Sequence, residues 1–144
     1  MKVEREIEIA AAPEDVYAVL TDADRLADWV TIHEELIEAP EGPLRKGSKL
    51  TQRLKLAGKR FTVTWTVVEN ERARRVVWEG RGPMRTRASA IYQLAPGAGG
   101  TRFSYTNEYE LPGGPLGRLA GPVVARATAG ELDRSLERLK SLVE

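Results

Sequence analysis

Few residues in this chain could carry chemistry unaided. His33 is the only histidine, and it stands beside Glu34 and Glu35. An imidazole next to carboxylates can move protons near neutral pH, yet three polar residues opening a strand equally describe a solvated surface. There is no cysteine, which excludes a thiol nucleophile, disulfides and thiolate metal sites. A transition-metal site would rest on carboxylates almost alone, so no metal is expected. The glycines of Pro96-Gly97-Ala98-Gly99-Gly100 lie between two strand patterns with no helix start behind them. They therefore make no phosphate cradle, and no cofactor is expected. No Ser, His and Asp fall into an arrangement with geometry behind it. What remains is a set of polar groups within strand patterns: Gln52, Tyr92, Tyr105, Asn107 and Tyr109. Asn107 stands out, because Asn is disfavoured in mid-strand.

The elements that must position these groups can be read from periodicity. Residues 2–10 alternate, with Val3, Ile7 and Ile9 on one phase and glutamates on the other, which marks a half-buried strand. Pro13 followed by Glu14 and Asp15 suits a helix start, with Val16, Tyr17 and Leu20 as its apolar side. Asp22 or Asp24 could cap a second short helix carrying Leu26, Trp29 and Val30. Strands then follow at 32–39, 48–57, 60–69, 74–81, 84–95 and 101–111, separated by short Gly, Pro and Asn turns. Gln52 shares its phase with Leu50, Leu54 and Leu56. Trp65 lies with Phe61, Val63 and Val67, and Trp78 with Val76. Met84 leads a phase with Ala88, Ala90, Tyr92 and Leu94, and Phe103 one with Tyr105, Asn107 and Tyr109. Clean alternation in consecutive strands means an antiparallel meander with one wet face. The other face needs a cover, and residues 115–143 supply one long helix of about 42 Å at about 1.5 Å per residue. Pro122 could kink it or delay its start.

That helix is uneven. Leu132, Leu136, Leu139 and Val143 can pack a solid core, whereas Ala120, Gly121, Ala125, Ala127, Ala129 and Gly130 are small. The sheet opposes them with Gly80, Thr86, Ala88 and Ala90 among its large residues. Small side chains on both layers leave space, and a cavity costs stability at about 24 cal/mol per Å³. A fold that keeps one generally has a use for it. Ligand pockets are mostly apolar with a few placed polar groups. The expected wall is Trp65, Trp78, Met84, Tyr92, Phe103, Tyr105 and Asn107, with Gln52 and Tyr109 beside them and Trp29 near the entrance. The alternative for Gln52 and Asn107 is hydrogen bonding within the protein. The segment Leu111 to Leu119 suits a stiff gate at the cavity mouth.

One strand, two short helices, six more strands and a long final helix make the helix-grip arrangement, an α+β fold of one domain over 1–144. Ile7-Glu8-Ile9 before Ala12-Pro13-Glu14-Asp15-Val16-Tyr17 resembles the opening of the polyketide cyclase/dehydrase and lipid-transport superfamily, the START-like or SRPBCC group. Asp24 to Trp29, Gly47-Ser48, Gly100-Thr101-Arg102 and Leu136 to Lys140 resemble it too. The resemblance covers nearly the whole chain. It implies a seven-stranded curved sheet wrapped around the C-terminal helix, with a deep cavity for sterols, lipids, quinones, aromatic hormones or polyketides. It also implies alternatives: a carrier, a cyclase in which Tyr105 and Asn107 (with Tyr92 and Gln52) assist enolisation and loss of water, or a protein-interaction or chaperone-activating module. Fold alone does not choose among them.

Composition narrows the setting. The chain has 144 residues, 42% hydrophobic and 30% charged, as befits a folded domain. Net charge is +1, from 22 basic against 21 acidic residues, so no nucleic-acid partner is expected. The outward phases carry Arg53, Arg75, Arg81, Arg85 and Arg87, with Glu69 and Glu79 as partial partners, which reads as a solvated face. No apolar run reaches about 18 residues, so no transmembrane segment is expected, and the charged N-terminus leads to the expectation of a cytoplasmic protein. The partner expected is a small hydrophobic molecule held without covalent chemistry.

Overall fold

The computed structural model describes residues 1–110 and 114–144, and the side chains of all of these except 114–120. Of the gate expected over Leu111 to Leu119, residues 111–113 lie outside the described residues, and 114–119 belong to the final helix rather than to a loop.

The alternating start of the chain forms β1 (Lys2–Ile9). Pro13 opens α1 (Pro13–Leu20), where Glu14 and Asp15 complement the positive helix end. Asp22 then accepts from the Asp24 N–H at 3.1 Å and caps a 3₁₀ turn that leads into α2 (Leu26–Trp29). Six strands come next: β2 (His33–Glu38), β3 (Lys49–Leu56), β4 (Lys59–Glu71), β5 (Arg75–Arg81), β6 (Arg87–Gly97) and β7 (Gly100–Tyr109). All neighbours pair antiparallel in one sheet of order β1-β7-β6-β5-β4-β3-β2. The final helix, α3 (Gly114–Val143), runs through Pro122 without a break.

Local chemistry fixes the connections. Ala57 and Gly58 join β3 to β4 with φ of 52° and 78°, the doubly left-handed turn that matches strand twist. Gly100 is required for a different reason. A Cβ there would sit 2.7 Å from the backbone N and O of Ala11 and from the Ile9 carbonyl oxygen. The chain leaving β1 therefore passes directly over Gly100, and the Thr101 hydroxyl secures it by donating to the Ala11 carbonyl at 2.7 Å.

The last half of α3 closes one end of the sheet's concave face. Leu132, Leu136 and Leu139 join a single buried cluster with Ile9, Val16, Leu20, Leu50, Val76 and Phe103. Polar ties fix the helix at its flanks. Arg5 meets Asp133 at 2.9 Å, and the Lys140 ammonium donates to the Glu8 carbonyl at 3.0 Å. The Thr31 N–H donates to the Ser135 hydroxyl at 3.0 Å.

One strand departs from expectation. Met84 does not begin the sixth strand of the chain. Residues Pro83–Arg85 form a 3₁₀ turn, Met84 and Arg85 have φ of 57° and 60°, and Met84 is 78% exposed. The turn is closed by the Gly82 N–H donating to the Thr86 carbonyl at 3.0 Å and by the Thr86 hydroxyl donating to the Pro83 carbonyl at 2.7 Å. Met84 thus points away from the concave face and is no part of its wall.

Candidate functional site

The register arranges the concave face in rows. One row runs Leu50, Trp65, Gly80, Ala88, Tyr109 across β3 to β7. The next runs Val67, Trp78, Ala90, Asn107 and reaches Val3 on β1. A third pairs Val76, Tyr92 and Tyr105. Large aromatics therefore flank a strip of small residues, Gly80, Ala88 and Ala90. The described first half of α3 is rich in small residues, Gly121, Ala125 and Ala127, and meets the sheet where the Tyr109 hydroxyl lies 3.0 Å from that of Thr128. At this end the large inward side chains are incompletely covered: Phe61, Trp65, Asn107 and Tyr109 all stay half-buried, while Phe103 and Val76 at the other end are fully enclosed.

Trp65 forms a slab over the strip. A Cβ on Gly80 would lie 2.8 Å from Trp65 Cε3 and Cζ3, so the indole lies flat on the glycine backbone. Its tilt is set by hydrogen bonds. The Trp65 Nε1–H donates to Gln52 Oε1 at 2.7 Å, and Gln52 Nε2 donates to His33 Nδ1 at 2.8 Å. Because the indole can only donate, the Gln52 amide has one consistent orientation, and His33 must accept at Nδ1 and carry its proton on Nε2. Burial lowers the His33 pKa below 6.5, which favours that neutral form. Gln52 is accordingly an orienting residue for Trp65, with both ends of its amide committed inside the protein. His33, expected beside the carboxylates of Glu34 and Glu35, has a different partner. Those glutamates turn outward to Arg60 at 2.7 Å and Arg53 at 2.6 Å.

The second group of polar atoms lies among rings. Tyr92 is surrounded by Trp29, Trp78, Phe103 and Tyr105, with centroids 6.0, 6.2, 5.7 and 5.0 Å away. Burial pushes the Tyr105 hydroxyl up to about 12, against the stabilising effect of its bonds to Tyr92 and Asn107. Burial, reinforced by Tyr105, raises Tyr92 still more clearly. Both hydroxyls therefore remain protonated donors at any physiological pH. Trp29, expected near an entrance, is instead completely enclosed, at 0% exposure. Tyr109 is committed to the helix, its hydroxyl 3.0 Å from that of Thr128, which itself donates to the Val124 carbonyl at 2.8 Å.

Two features had no signal in the sequence. The indole N–H groups of Trp29 and Trp78 are buried and meet no acceptor among the described residues. Sequence could place the Trp78 ring inward but not the direction of its N–H. The other is a surface cleft of about 900 Å³ between α1, the end of β2 and the 39–45 loop. Its rim carries Glu14, Asp24, Glu38, Glu41, Arg45 and Arg72, and none of the expected wall residues lines it. Among the described residues no three His, Cys, Asp or Glu converge as metal ligands, and no helix is long and apolar enough to cross a membrane.

Comparison with known proteins agrees with this geometry. The model of a family described as polyketide cyclase/dehydrase and lipid transport matches residues 1–144. An uncharacterised protein of Mycobacterium tuberculosis, Rv1546, is 26% identical over 140 residues, covering 97% of this chain and 96% of the relative. Toxin Rv0910 of the same organism is 24% identical over 136 residues, covering 94% and 93%. The crystal structure of TTHA0849 from Thermus thermophilus superposes with a TM-score of 0.80 at 24% identity, over 99% of this chain and 97% of that one. DynU16, from the dynemicin biosynthetic locus, gives 0.65 at 22% identity, over 97% of this chain and 46% of its own. At these identities the structural likeness speaks to the fold.

Proposed function

This chain belongs to the polyketide cyclase/dehydrase and lipid-transport family, and from that premise we propose that it binds a small hydrophobic or aromatic molecule, without covalent chemistry, between the sheet and the first half of α3. The observation that carries the reading is the uneven interior. Trp65, Asn107 and Tyr109 face inward yet stay half-buried, in rows whose other members include the small Gly80, Ala88 and Ala90, and the described first half of α3 is rich in small residues as well. Wall residues in this reading are Trp65, Trp78, Tyr92, Phe103, Tyr105 and Asn107, with Gln52 holding Trp65 in place.

The catalytic alternative is a cyclase using Tyr105 and Asn107. It has less support. Enolisation needs a base, and a tyrosine raised to about 12 is not one at neutral pH. No carboxylate is buried among the described residues.

The test is native mass spectrometry of freshly purified protein with organic extraction, followed by titration with an apolar fluorescent dye. Expected is one apolar molecule per chain, or saturable dye binding that Ala129→Leu weakens at least tenfold by filling the space. An empty protein that binds no dye overturns the reading.

A further inference from the structure

Trp65, the slab of the proposed wall, is held by a chain of hydrogen bonds that ends on the one histidine of the protein. Its Nε1–H donates to Gln52 Oε1 at 2.7 Å, and Gln52 Nε2 donates to His33 Nδ1 at 2.8 Å. An indole only donates, so Gln52 must offer its oxygen to Trp65 and its amino group to His33, and Nδ1 must carry no proton. An imidazolium has a proton on both nitrogens. Protonation therefore sets two donors against each other at Nδ1, and turning the Gln52 amide over only moves the conflict to Trp65. One amide oxygen cannot serve donors at both ends. Gln52 is 6% exposed, so water does not take up the mismatch. Asparagine or serine could end such a chain without titrating, whereas histidine makes it depend on pH. The β2–β3 register shifts between His33 and Glu35, a local irregularity of the kind that re-aims a side chain. The charged groups on the surrounding elements are engaged elsewhere. Glu34 and Glu35 on β2 pair with Arg60 of β4 and Arg53 of β3. Asp28 of α2 pairs with Arg25, Glu131 of α3 pairs with Arg134, and Lys55 of β3 is exposed. Burial is what lowers the His33 pKa.

We propose that His33 is an acid-operated release for Trp65: a proton on Nδ1 breaks the bond from Gln52, the amide turns its oxygen to the imidazolium, and the indole loses its acceptor and its fixed seat on Gly80, which weakens the interior site. This rests on the binding reading above and adds its regulation. The site is complete at neutral pH and loosens in acid, and the ligand, by favouring the neutral imidazole, holds the proton off. When only the neutral form is competent, apparent Kd doubles at the His33 midpoint and rises about tenfold one pH unit below it.

The test follows the full chain by proton–nitrogen NMR from pH 8 to pH 5, alongside titration with Nile red, a neutral apolar dye. The protein has three tryptophans and one histidine, so three indole N–H signals and one imidazole are read without overlap of kind. The indole signal missing from Trp65→Phe should move with the midpoint of the His33 ring. The other two belong to Trp29 and Trp78, whose N–H groups have no partner among the described residues, and should stay still. Nile red Kd should double at that same midpoint and keep rising below it. His33→Asn offers an acceptor that does not titrate, and should remove the pH dependence of both readouts. A His33 ring still neutral at pH 5, a Trp65 signal that ignores the ring's titration, or three indole signals moving together overturns the release. A Kd that depends on pH equally in His33→Asn overturns the control of binding. Failure to bind Nile red at pH 7.5 overturns the binding reading and its regulation, while the indole titration still decides whether His33 holds Trp65.

Discussion

Replacing Gly80 by alanine tests the Trp65 slab directly. The new Cβ would stand 2.8 Å from two carbons of the Trp65 ring and 3.0 Å from Val63 Cγ1. Carbon atoms pack best at about 3.5 to 4.0 Å, so the ring must rise by about 1 Å. It cannot do so freely, because its N–H is tied to Gln52 at 2.7 Å and Gln52 is tied to His33 at 2.8 Å. A displacement of that size breaks the first bond and orphans the Gln52 oxygen. Overpacking costs about 1–3 kcal/mol, and the lost bond about 1 kcal/mol more. Alanine recovers about 0.4–1 kcal/mol by restricting the unfolded chain. The net loss is about 1–3 kcal/mol, measurable as a lowered midpoint in urea unfolding with an unchanged slope. Gly99→Ala is the control, since a Cβ there has nothing within 4 Å, and its midpoint should rise slightly, by the same about 0.4–1 kcal/mol from the unfolded chain. The decisive step is a double-mutant cycle with Trp65→Leu. In that background Gly80→Ala should cost less than half as much, because the clash is with the indole. A Gly80→Ala protein as stable as the parent, or a cost unchanged by removing Trp65, would refute the stacked geometry.

Four further outcomes are expected from the same structure. Burial lowers the His33 pKa below 6.5, so the unfolded chain takes up a proton first; stability is complete above about 6.5 and declines as pH falls through that value, a decline that His33→Asn should flatten when urea midpoints are compared at pH 7.5 and pH 5. Tyr92 is raised and Tyr105 reaches about 12, so the unfolded tyrosines ionise first, and stability should fall as pH rises from about 10 towards the folded values; ultraviolet titration of Tyr105→Phe should lack one late-ionising phase. Gly100→Ala forces a Cβ to 2.7 Å from the Ala11 and Ile9 backbone, which side-chain motion cannot relieve, so a loss above about 3 kcal/mol or failure to fold is expected in thermal unfolding. Leu136→Ala empties a position in the solid half of the core and should cost about 2–5 kcal/mol, whereas the half-buried Ala125→Gly should cost about 1 kcal/mol.

Strand phase was the most legible property of this chain, because one face is wet and period two is unambiguous wherever large apolar and charged residues alternate. It held through β6, where Ala88, Ser89 and Ala90 offer little contrast, since Tyr92 and Leu94 downstream fix the register. It failed at Met84. Gly82-Pro83 read as a complete turn, and Met84, Thr86 and Ala88 happened to continue the alternation. The real loop takes two more residues at positive φ, which non-glycine residues rarely adopt and sequence therefore does not advertise. Trp29 was misjudged for another reason. In a helix of four residues periodicity cannot tell an entrance from a core, and only tertiary packing against Tyr92 and Tyr105 decides it. The chain from His33 through Gln52 to Trp65 was illegible as a unit because it needs the pairing of three strands. Its members were each visible as residues, but the irregular β2–β3 register that brings His33 to Gln52 has no local signature.

The two halves of α3 explain how the protein sustains an interior of this kind. Two unpartnered indole donors and a thinly filled strip are both destabilising, each at about 1–3 kcal/mol for a buried donor without an acceptor. A domain whose whole margin is about 5–15 kcal/mol cannot carry them throughout its length. The leucine-rich half confines them. Leu132, Leu136 and Leu139 pack with Ile9, Leu20 and Phe103, and Arg5, Ser135 and Lys140 tie that half to the sheet and to the α2–β2 connection. The small-residue half contributes less packing, so it can face a ligand without being needed to hold the fold. In the binding reading proposed above, affinity comes from apolar area buried against Trp65 and the neighbouring alanines. Binding should therefore stabilise the folded chain in proportion to ligand excess over Kd, with the gain concentrated at the end of the sheet where Trp65 and Tyr109 are half-buried.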